Sequence, residues 1–483
     1  MSGSIWTPEA SRALHASRRD ARNFRNANDP LRGQPVPPEP RQRRRRRQPQ
    51  RNQEVIRQPR FIFRVTEGDP LSFDLAKIAN HENLALIWYR LRAFNGRSPG
   101  VDQMTFDLSA SQVMEVLRNL SRAMHNRRYV PAPTRPVQIP KSTGGHRKLE
   151  IPTIIDRVVG AALAESLRPV LVDRLPRYFG KRAGCHSIFA RMCMMAEDRG
   201  WYWVGVNDIQ NFFPSIRRSL AMHSFMREAG QWGVPEPTLV QQGIRWLVRQ
   251  LIYGNEGDTR AIGLAQGSSF SPLASAIVLK EVLDDPTDRQ IENRMILHRY
   301  ADNLHVQGPD RSEVGNVMDD ISSTLNQYGM RLKSASTQVI DVRVPTNQTI
   351  LGVRPKWTNG KLSFDIPEDK WVRLERILYG TTTGSGSHQA QSTVHGFISA
   401  FRPTFRVKAD NAINRIHRSL REGGNYSISR DTISTWITAE RSRWESELIN
   451  IRNPQLSLPQ QSEIVIPEQE TGPLEPDTLP WHD

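Results

Sequence analysis

The stretch HRYADNLHV, residues 298–306, places an acidic side chain in the middle of a short apolar alternation. Asp302 is followed by Asn303, an amide where a second acid could stand. The local pattern predicts a hairpin, with a strand on each side of a tight turn at Ala301 to Asn303. An isolated Asp in such a turn commonly only caps it, so a chemical role for Asp302 needs a partner elsewhere in the chain.

A second strand-like run offers that partner. WYWVGV, residues 201–206, leads into Asp208, as MILHRY, residues 295–300, leads into Asp302. Strands that end in carboxylates can bring distant acids together at one sheet edge, where they can hold two divalent cations for phosphoryl transfer. Asp208 and Asp302 are therefore the predicted metal ligands.

Two further stretches have compositions suited to a phosphate-containing ligand. GLAQGSSFSPLASAIVL, residues 263–279, is a Gly and Ser loop that opens an apolar helix, which allows close backbone approach to a ligand or template. VQIPKSTGGHRKLEIPTIIDRVV, residues 137–159, places Lys141 and Arg147 around a Gly-Gly turn. A lysine point charge and an arginine fork can together clamp a triphosphate. The apolar spacing from Ile154 to Leu167 predicts a helix directly afterwards.

The composition favours a polyanionic partner. The 483 residues carry a net charge of +16, of which residues 1–60 contribute +10 and residues 453–483 contribute −6, leaving +12 between them. A basic body of this size predicts nucleic acid binding. The N-terminus has no apolar signal region and no long apolar run follows, so an intracellular protein without a membrane partner is expected, with cytoplasm and nucleus not distinguished. Cys185 and Cys193 are expected to be free thiols.

Both ends of the chain have the composition of disordered segments. The first 60 residues include an arginine run in which like charges repel, and the last 31 are rich in Pro and Glu. The predicted RNA-binding residues of the arm are Arg43, Arg44, Arg45, Arg46 and Arg47. The Gly, Ser and Thr content of residues 379–392 is typical of a linker.

In this order the motifs resemble the reverse transcriptase family, most closely its bacterial and group II intron-type branch, over roughly residues 82–402. The matching stretches are NGRSPGVDQMTF (95–106, N-terminal extension), DIQNFFPSI (208–216, motif A), GLAQGSSFSP (263–272, motif B), RYADN (299–303, motif C), GMRLKSASTQVID (329–341, motif D), ILGV (350–353, primer grip) and VHGFISAFR (394–402, start of the thumb).

The resemblance implies an α+β right-hand polymerase with fingers, a palm of antiparallel sheet plus helices, and a helical thumb. The implied divisions are a disordered Arg-rich arm (1–60), N-terminal extension and fingers (61–200), palm (201–365, with 217–260 as a fingers and palm insertion), thumb-like helical domain (366–452) and disordered acidic tail (453–483).

The resemblance also implies roles for individual residues. Asp208, Asp302 and Asn303 would form the catalytic centre, with two Mg²⁺ ions, or Mn²⁺, on Asp208, Asp302 and the backbone carbonyl of Ile209. The implied nucleotide-binding residues are Lys141, Arg147, Ile209, Phe213, Gln266 and Gly267. Among them Phe213 would be the steric gate against a ribose 2′-hydroxyl, the alternative being core packing. The implied partners are an RNA template, a primer strand and nucleoside triphosphates, with a structured RNA as a further candidate.

Four motif positions depart from the family pattern. Asn303 replaces the second acid of motif C, and Ser336 stands where motif D usually has a lysine, the nearest being Lys333. Glu150 makes the common RPLGIPT read RKLEIPT, and Ala276 replaces a frequent Asn. Loss of one carboxylate predicts weaker metal binding and a preference for Mn²⁺, without automatic loss of activity.

Three functions follow from these matches and departures. The first is an RNA-directed DNA polymerase, favoured by the aromatic Phe213. The second is an RNA-dependent RNA polymerase of an RNA virus, in which an Asp-Asn pair in motif C is tolerated. The third is a catalytically reduced, maturase-like RNA-binding protein, favoured by Asn303 and Ser336 and opposed by the intact Asp208, Lys141, Arg147 and Gln266.

Overall fold

The computed structural model describes residues 74–94, 98–140, 146–178, 184–255, 258–334, 337–380, 386–407 and 409–453. The predictions for the arginine run at Arg43 to Arg47, for the acidic tail, and for Lys141 and Ser336 lie outside these residues. Helices and antiparallel strands are mixed along the described chain, so the predicted α+β class is confirmed.

The N-terminal part packs helices around a short hairpin. Its elements are α1 (Leu75–Ile78), α2 (His81–Phe94), α3 (Ala110–His125), β1 (Arg135–Pro140), β2 (His146–Ile151), α4 (Ile154–Leu171) and α5 (Cys185–Arg199). Helix α3 begins at a capping box between Ser109 and Gln112, and the Thr153 side chain caps α4. These caps satisfy backbone N–H groups that the first turn leaves unpaired. The helix predicted from Ile154 is confirmed and ends at Leu171.

The middle part contains both strands that precede the predicted acids. Its elements are β3 (Trp203–Asp208), α6 (Phe212–Ser215), α7 (Arg218–Gln231), α8 (Glu236–Gln241), α9 (Ile244–Tyr253), α10 (Ser271–Leu279), a π-helical turn (Lys280–Asp284), α11 (Asp285–Ile291), β4 (Ile296–Tyr300), β5 (Asn303–Gly308) and α12 (Arg311–Gln327). The Gly and Ser loop before α10 agrees with the sequence prediction.

The C-terminal part is mostly helical. Its elements are β6 (Gln338–Asp341), β7 (Arg354–Thr358), β8 (Lys361–Asp365), α13 (Glu368–Gly380), α14 (Gly386–Ala400), a 3₁₀ turn (Arg402–Phe405), α15 (Asp410–Glu422) and α16 (Arg430–Arg452). The linker prediction for residues 379–392 is wrong at both ends, since α13 continues to Gly380 and α14 begins at Gly386. In the second half of α14, the side chains of Val394, Phe397 and Ile398 are buried. This apolar face stabilises the helix although its first residues are polar.

Four strands form the central sheet in the order β4, β5, β3, β6, and every neighbouring pair is antiparallel. Helix α12 packs on one face of it. Gly205 of β3 allows this approach, because a Cβ atom there would lie only 2.7 Å from Cγ of Met318. The sheet and α12 therefore form a closely packed support beneath the end of β3.

Two hydrophobic clusters meet at this sheet. One contains Leu304 and Val306 of β5 together with the N-terminal and middle helices, and the other contains Val204 of β3 with α5 and the C-terminal helices. Neighbouring residues of β3 point to opposite faces, so the strand is buried from both sides. Cys185 and Cys193 are free thiols, as predicted. Within the described ranges, no helix combines the length and apolar character needed to cross a bilayer.

Candidate active site

Strand pairing fixes the two predicted metal ligands next to each other. In the β3 and β5 ladder, Asp208 lies directly opposite Asn303. The backbone N–H of Ile209 donates to the carbonyl oxygen of Asp302 at 3.0 Å. Main-chain hydrogen bonds therefore position Asp208 beside Asp302, two acids that are far apart in the sequence.

The predicted hairpin at HRYADNLHV is confirmed. Tyr300 pairs with Asn303, so Ala301 and Asp302 form a two-residue turn between β4 and β5. Ala301 has a φ of 50°, a left-handed conformation that costs a residue with a Cβ atom roughly 1 kcal/mol. Such strain persists where surrounding structure imposes it, here the ladders on both sides of β5.

The surroundings of the two acids favour a positive charge or a proton beside them. Burial, reinforced by the charge of Asp208, raises the pKa of Asp302 to about 6, while the positive charge of Arg147 acts in the opposite direction. Oδ1 of Asp208 is buried and accepts no hydrogen bond within the described part of the chain. The other oxygen, Oδ2, lies 3.3 Å from Nζ of Lys333. A buried carboxylate oxygen without a donor is costly unless a cation or a proton compensates it.

The residues present fit a divalent cation with oxygen ligands. Asp208 and Asp302 supply hard carboxylate oxygens of the kind that Mg²⁺ and Mn²⁺ bind. Asn303 adds an amide whose Nδ2 makes long hydrogen bonds to Oδ1 of Asp302 and the carbonyl oxygen of Tyr300, at 3.4 and 3.5 Å. Across the described ranges no group of three or more His, Cys, Asp or Glu side chains could hold a metal, in keeping with the amide at position 303.

Three of the predicted nucleotide-binding residues, Arg147, Gln266 and Gly267, lie on strand β2 or on the loop that contacts it. Arg147 lies on β2 and its charge acts on Asp302. Gln266 accepts a hydrogen bond on its backbone carbonyl from the N–H of Glu150, at 2.8 Å. Gly267 has a φ of 128°, and a Cβ atom there would lie 2.7 Å from the Glu150 carbonyl oxygen. The loop before α10 and strand β2 are therefore in contact, and only glycine fits at position 267.

Phe213 lies four residues beyond Ile209, at the start of α6. Its ring is half-buried, 5.3 Å from the ring of Phe212 between centroids, whereas Phe212 itself is buried in the core. The Phe213 carbonyl accepts the N–H of Leu264 at 3.0 Å, which joins α6 to the loop before α10. The ring is partly packed and partly accessible, so the gate and the packing role both stay predictions.

Two contacts at the site were not predicted. Lys333, noted in the sequence only as the nearest lysine of motif D, donates its backbone N–H to the Asp208 carbonyl at 2.7 Å and holds its side chain near the same residue. Behind the hairpin, Arg299 forms a buried bidentate ion pair with Asp284, at 2.8 and 2.6 Å, and donates to the Ala301 carbonyl. An arginine inside an apolar strand is costly to bury unless it has an acidic partner. The position of Arg299 within such a strand was therefore the sequence feature that could have indicated this ion pair.

Comparisons with known proteins find similarity over part of the chain. Residues 139–354 match the family described as reverse transcriptase (RNA-dependent DNA polymerase). Protein YkfC of Escherichia coli (strain K12) is 26% identical over 225 residues, which are 45% of this chain and 57% of YkfC. The chain thus spans little more than half the length of this relative.

Two solved structures of telomerase, each in complex with a TWJ fragment of telomeric RNA, also show some similarity. The Candida albicans enzyme gives a TM-score of 0.36 at 13% identity, covering 68% of this chain and 64% of that chain. The Candida tropicalis enzyme gives 0.38 at 12% identity, covering 70% and 68%. The family match includes Arg147, Asp208 and Asp302. Residues 139–354 are therefore similar to the reverse transcriptase family.

Proposed function

We propose that this protein is an RNA-directed DNA polymerase of the bacterial, group II intron-like type, which extends a primer strand on an RNA template by two-metal nucleotidyl transfer. The observation that carries the proposal is the cross-strand placement of Asp208 beside the Asp302 turn, within the residues that match the family. Two adjacent, half-buried carboxylates, one at the end of β3 and one in the turn before β5, are what a two-cation site requires.

In this proposal each residue has a defined task. Asp208, Asp302 and the backbone carbonyl of Ile209 hold two Mg²⁺ ions, or Mn²⁺, and Asn303 provides a neutral oxygen. When bound, the ions supply activation of the primer 3′-hydroxyl and neutralisation of charge on the leaving pyrophosphate. Arg147 and Lys141 bind the triphosphate, and their positive charges offset the phosphate charge as the nucleotide enters.

The sugar and template sides are assigned to other elements. Gln266 and Gly267 line the pocket for the base pair, and the missing Cβ of Gly267 leaves room for the Glu150 carbonyl oxygen of β2. Phe213 excludes a ribose 2′-hydroxyl, so deoxynucleotides are the preferred substrate. The arginine run at residues 43–47 binds RNA phosphates, a contact that weakens with salt.

The proposed arrangement follows the right-hand plan. Residues 61–200 form the N-terminal extension and fingers, residues 201–365 the palm, and residues 366–452 a helical thumb. Supporting this division, the central antiparallel sheet lies within 203–341, and α13 to α16 provide most of the structure after residue 366.

Primer extension by the full chain on a defined RNA template tests the proposal, with dNTPs and NTPs compared under Mg²⁺ and Mn²⁺. DNA product is expected, whereas RNA product would support an RNA-dependent RNA polymerase. Tight RNA binding without product would support a maturase-like protein. Asp208→Asn and Asp302→Asn should each lower the rate at least about a hundredfold, because each removes one of the two charges that hold the cations.

Asp319→Asn provides the matched control for these variants. Asp319 is exposed on α12, so the same change of charge and size there should leave the rate unaltered. Full synthesis by Asp302→Asn would contradict the assignment of the whole site.

A further inference from the structure

We infer that Glu150 and Arg260 form a clasp that positions strand β2 over the nucleotide site. Nη1 of Arg260 lies 2.6 Å from Oε1 of Glu150, and its Nη2 and Nε contact both oxygens of Asp258 at 2.7 and 2.8 Å. One guanidinium thus joins a strand residue to a loop residue through two carboxylates. This inference rests on the proposed function, since it concerns the binding of the incoming nucleotide.

The loop end of the clasp is firmly anchored. Asp258 also pairs with Nη2 of Arg218 at 2.5 Å, and only 2% of the Arg218 side chain is exposed. Arg218 donates further hydrogen bonds to the backbone carbonyls of Gly263 and Tyr253, at 2.9 and 3.0 Å. A buried arginine whose three side-chain nitrogens all donate hydrogen bonds holds its partners in a defined geometry. Asp258 is therefore held in place by Arg218, and it in turn orients Arg260 toward Glu150.

Strand β2, on the other side of the clasp, is stabilised by the link to Arg260. Among the residues that the structure describes, strand β2 pairs only with β1, and an isolated two-stranded hairpin of this kind is marginally stable. Beyond β1, β2 is fixed at Glu150, whose N–H donates to the Gln266 carbonyl and whose carbonyl oxygen lies against Gly267. The Glu150 side chain adds the ionic link to Arg260. Arg147, three residues earlier on the same strand, is the group proposed to bind the triphosphate.

The clasp depends on a feature particular to this sequence. Position 150 is Glu where the family pattern RPLGIPT has Gly, and glycine has no side chain to reach Arg260. The pair is partly exposed, since 46% of the Arg260 side chain and 13% of the Glu150 side chain remain accessible. A pair of this exposure contributes about 0.5–1 kcal/mol, which corresponds to a two- to fivefold change in an equilibrium constant.

The expected result is a rise in KM for the incoming dNTP with little change in kcat. Glu150→Gln and Arg260→Gln should each raise KM about two- to fivefold, with kcat within about twofold. The double variant should be no worse than either single one, because both changes break the same contact. Arg260→Lys should restore part of the effect, since it keeps the charge. Glu236→Gln is the matched control, as Glu236 forms an exposed pair with Arg245 at 3.1 Å outside the clasp.

Two readouts that do not require synthesis separate the clasp from the proposed function. Hydrogen exchange of the backbone N–H groups of residues 149–151 should be faster in Glu150→Gln and Arg260→Gln than in Glu236→Gln. The affinity of the protein for a fluorescent dNTP, measured in the absence of synthesis, should fall by the same factor as KM rises. Unchanged exchange overturns the clasp, and faster exchange with unchanged nucleotide affinity overturns its positioning role. A wild-type protein that makes no product overturns the proposed function, while the exchange and affinity measurements still decide this inference.

Discussion

Asn303 determines how much negative charge faces the proposed cations. It stands opposite Asp208 in the ladder and next to Asp302, so an acid there would be the third carboxylate at the turn. An amide keeps the size of the side chain and an oxygen, and it removes one charge. The amide at position 303 therefore preserves the shape of the site and lowers the total negative charge of the side chains that face the cations.

Asn303→Asp should tighten metal binding. Without a divalent cation, the added charge repels Asp208 and Asp302 and should lower the melting temperature by a few degrees. With Mn²⁺ or Mg²⁺ present, the half-saturating metal concentration should fall about three- to tenfold, because a third carboxylate strengthens the Coulomb attraction. Thermal unfolding across a metal titration measures both effects. Asn411→Asp, on the exposed first turn of α15, is the control, and equal metal dependence in both variants would contradict the account.

Lys333 is expected to compete with the cations for Asp208. Its Nζ lies 3.3 Å from Oδ2 of Asp208, and 69% of its side chain is exposed, so solvent screens the pair and its free energy is below about 1 kcal/mol. Lys333→Ala should lower the half-saturating Mn²⁺ concentration about two- to fourfold, a change that Lys361→Ala on the exposed end of β8 should not produce. A lower maximal rate with unchanged metal affinity would contradict this competition and would instead indicate that Lys333 contacts the nucleotide.

At the element scale, the contact between β3 and α12 supports the end of the strand that carries Asp208. Gly205 faces α12, where the nearest atoms to an added Cβ are Cγ of Met318 at 2.7 Å and Cγ1 of Val314 at 3.2 Å. These atoms lie near the helix backbone and have little room to move, so the spacing between strand and helix depends on a glycine.

Gly205→Ala should destabilise the protein by about 1–3 kcal/mol, because the extra methyl group overpacks the contact with α12. Urea unfolding measures the change in the free energy of unfolding. Gly315→Ala on α12 is the control, since the nearest atom to its added Cβ is 4.0 Å away and alanine favours a helix. A stability loss of the same size in both variants would show that the Met318 contact is not the cause.

The elements themselves could largely be predicted from local sequence, whereas the contacts between them could not. The strands that lead to Asp208 and Asp302, the hairpin that turns at Asp302 and the helix from Ile154 all follow from apolar periodicity and turn residues. The pairing of Lys333 with Asp208 and of Arg260 with Glu150 joins residues far apart in the chain, and no spacing rule encodes it. The start of α14 was missed because its polar residues resemble a linker until the apolar face begins.

At the scale of the whole molecule, the sheet that carries the site also contains a buried polar network between the two hydrophobic clusters. His298 and His305 are neighbours across the β4 and β5 hairpin, and both are buried. Nε2 of His298 is 2.9 Å from Oε1 of Gln307, whose Nε2 donates to the carbonyl oxygens of Trp201 and Met192. Both histidines are therefore expected to be neutral, because a second proton on either ring would place a positive charge in the core.

Acid should consequently weaken the fold. Burial lowers the pKa of His305 from 6.5 to about 4, so its contribution to stability is present above pH 6.5 and is lost as the pH falls through 4. Burial likewise lowers the pKa of His298. Between pH 7.5 and 5 the free energy of unfolding should fall by roughly 2 kcal/mol for His305. Burial raises the pKa of Asp156 and of Asp302 to about 6, so these carboxyls stabilise the fold as the pH falls and each offsets about 1 kcal/mol.

Urea unfolding at the two pH values measures this loss. His305→Leu should reduce the difference by roughly 2 kcal/mol, because leucine does not titrate. His388→Leu, at an exposed position of α14, should leave the difference unchanged. An unaltered pH dependence in His305→Leu would assign the acid sensitivity to other groups.

The hydrogen bond from the Ile209 N–H to the Asp302 carbonyl, with the ladder from Asp208 to Asn303, means that backbone alignment sets the distance between the two acids. Side chains at these positions can thus be exchanged without moving their neighbours, and the site tolerates replacement of a charge by an amide as far as its shape is concerned. A single-residue insertion or deletion in β3 or β5 has the opposite effect, because it reverses which face each later side chain occupies. Changes in chain length here are therefore expected to disturb the shape of the site far more than changes in residue type.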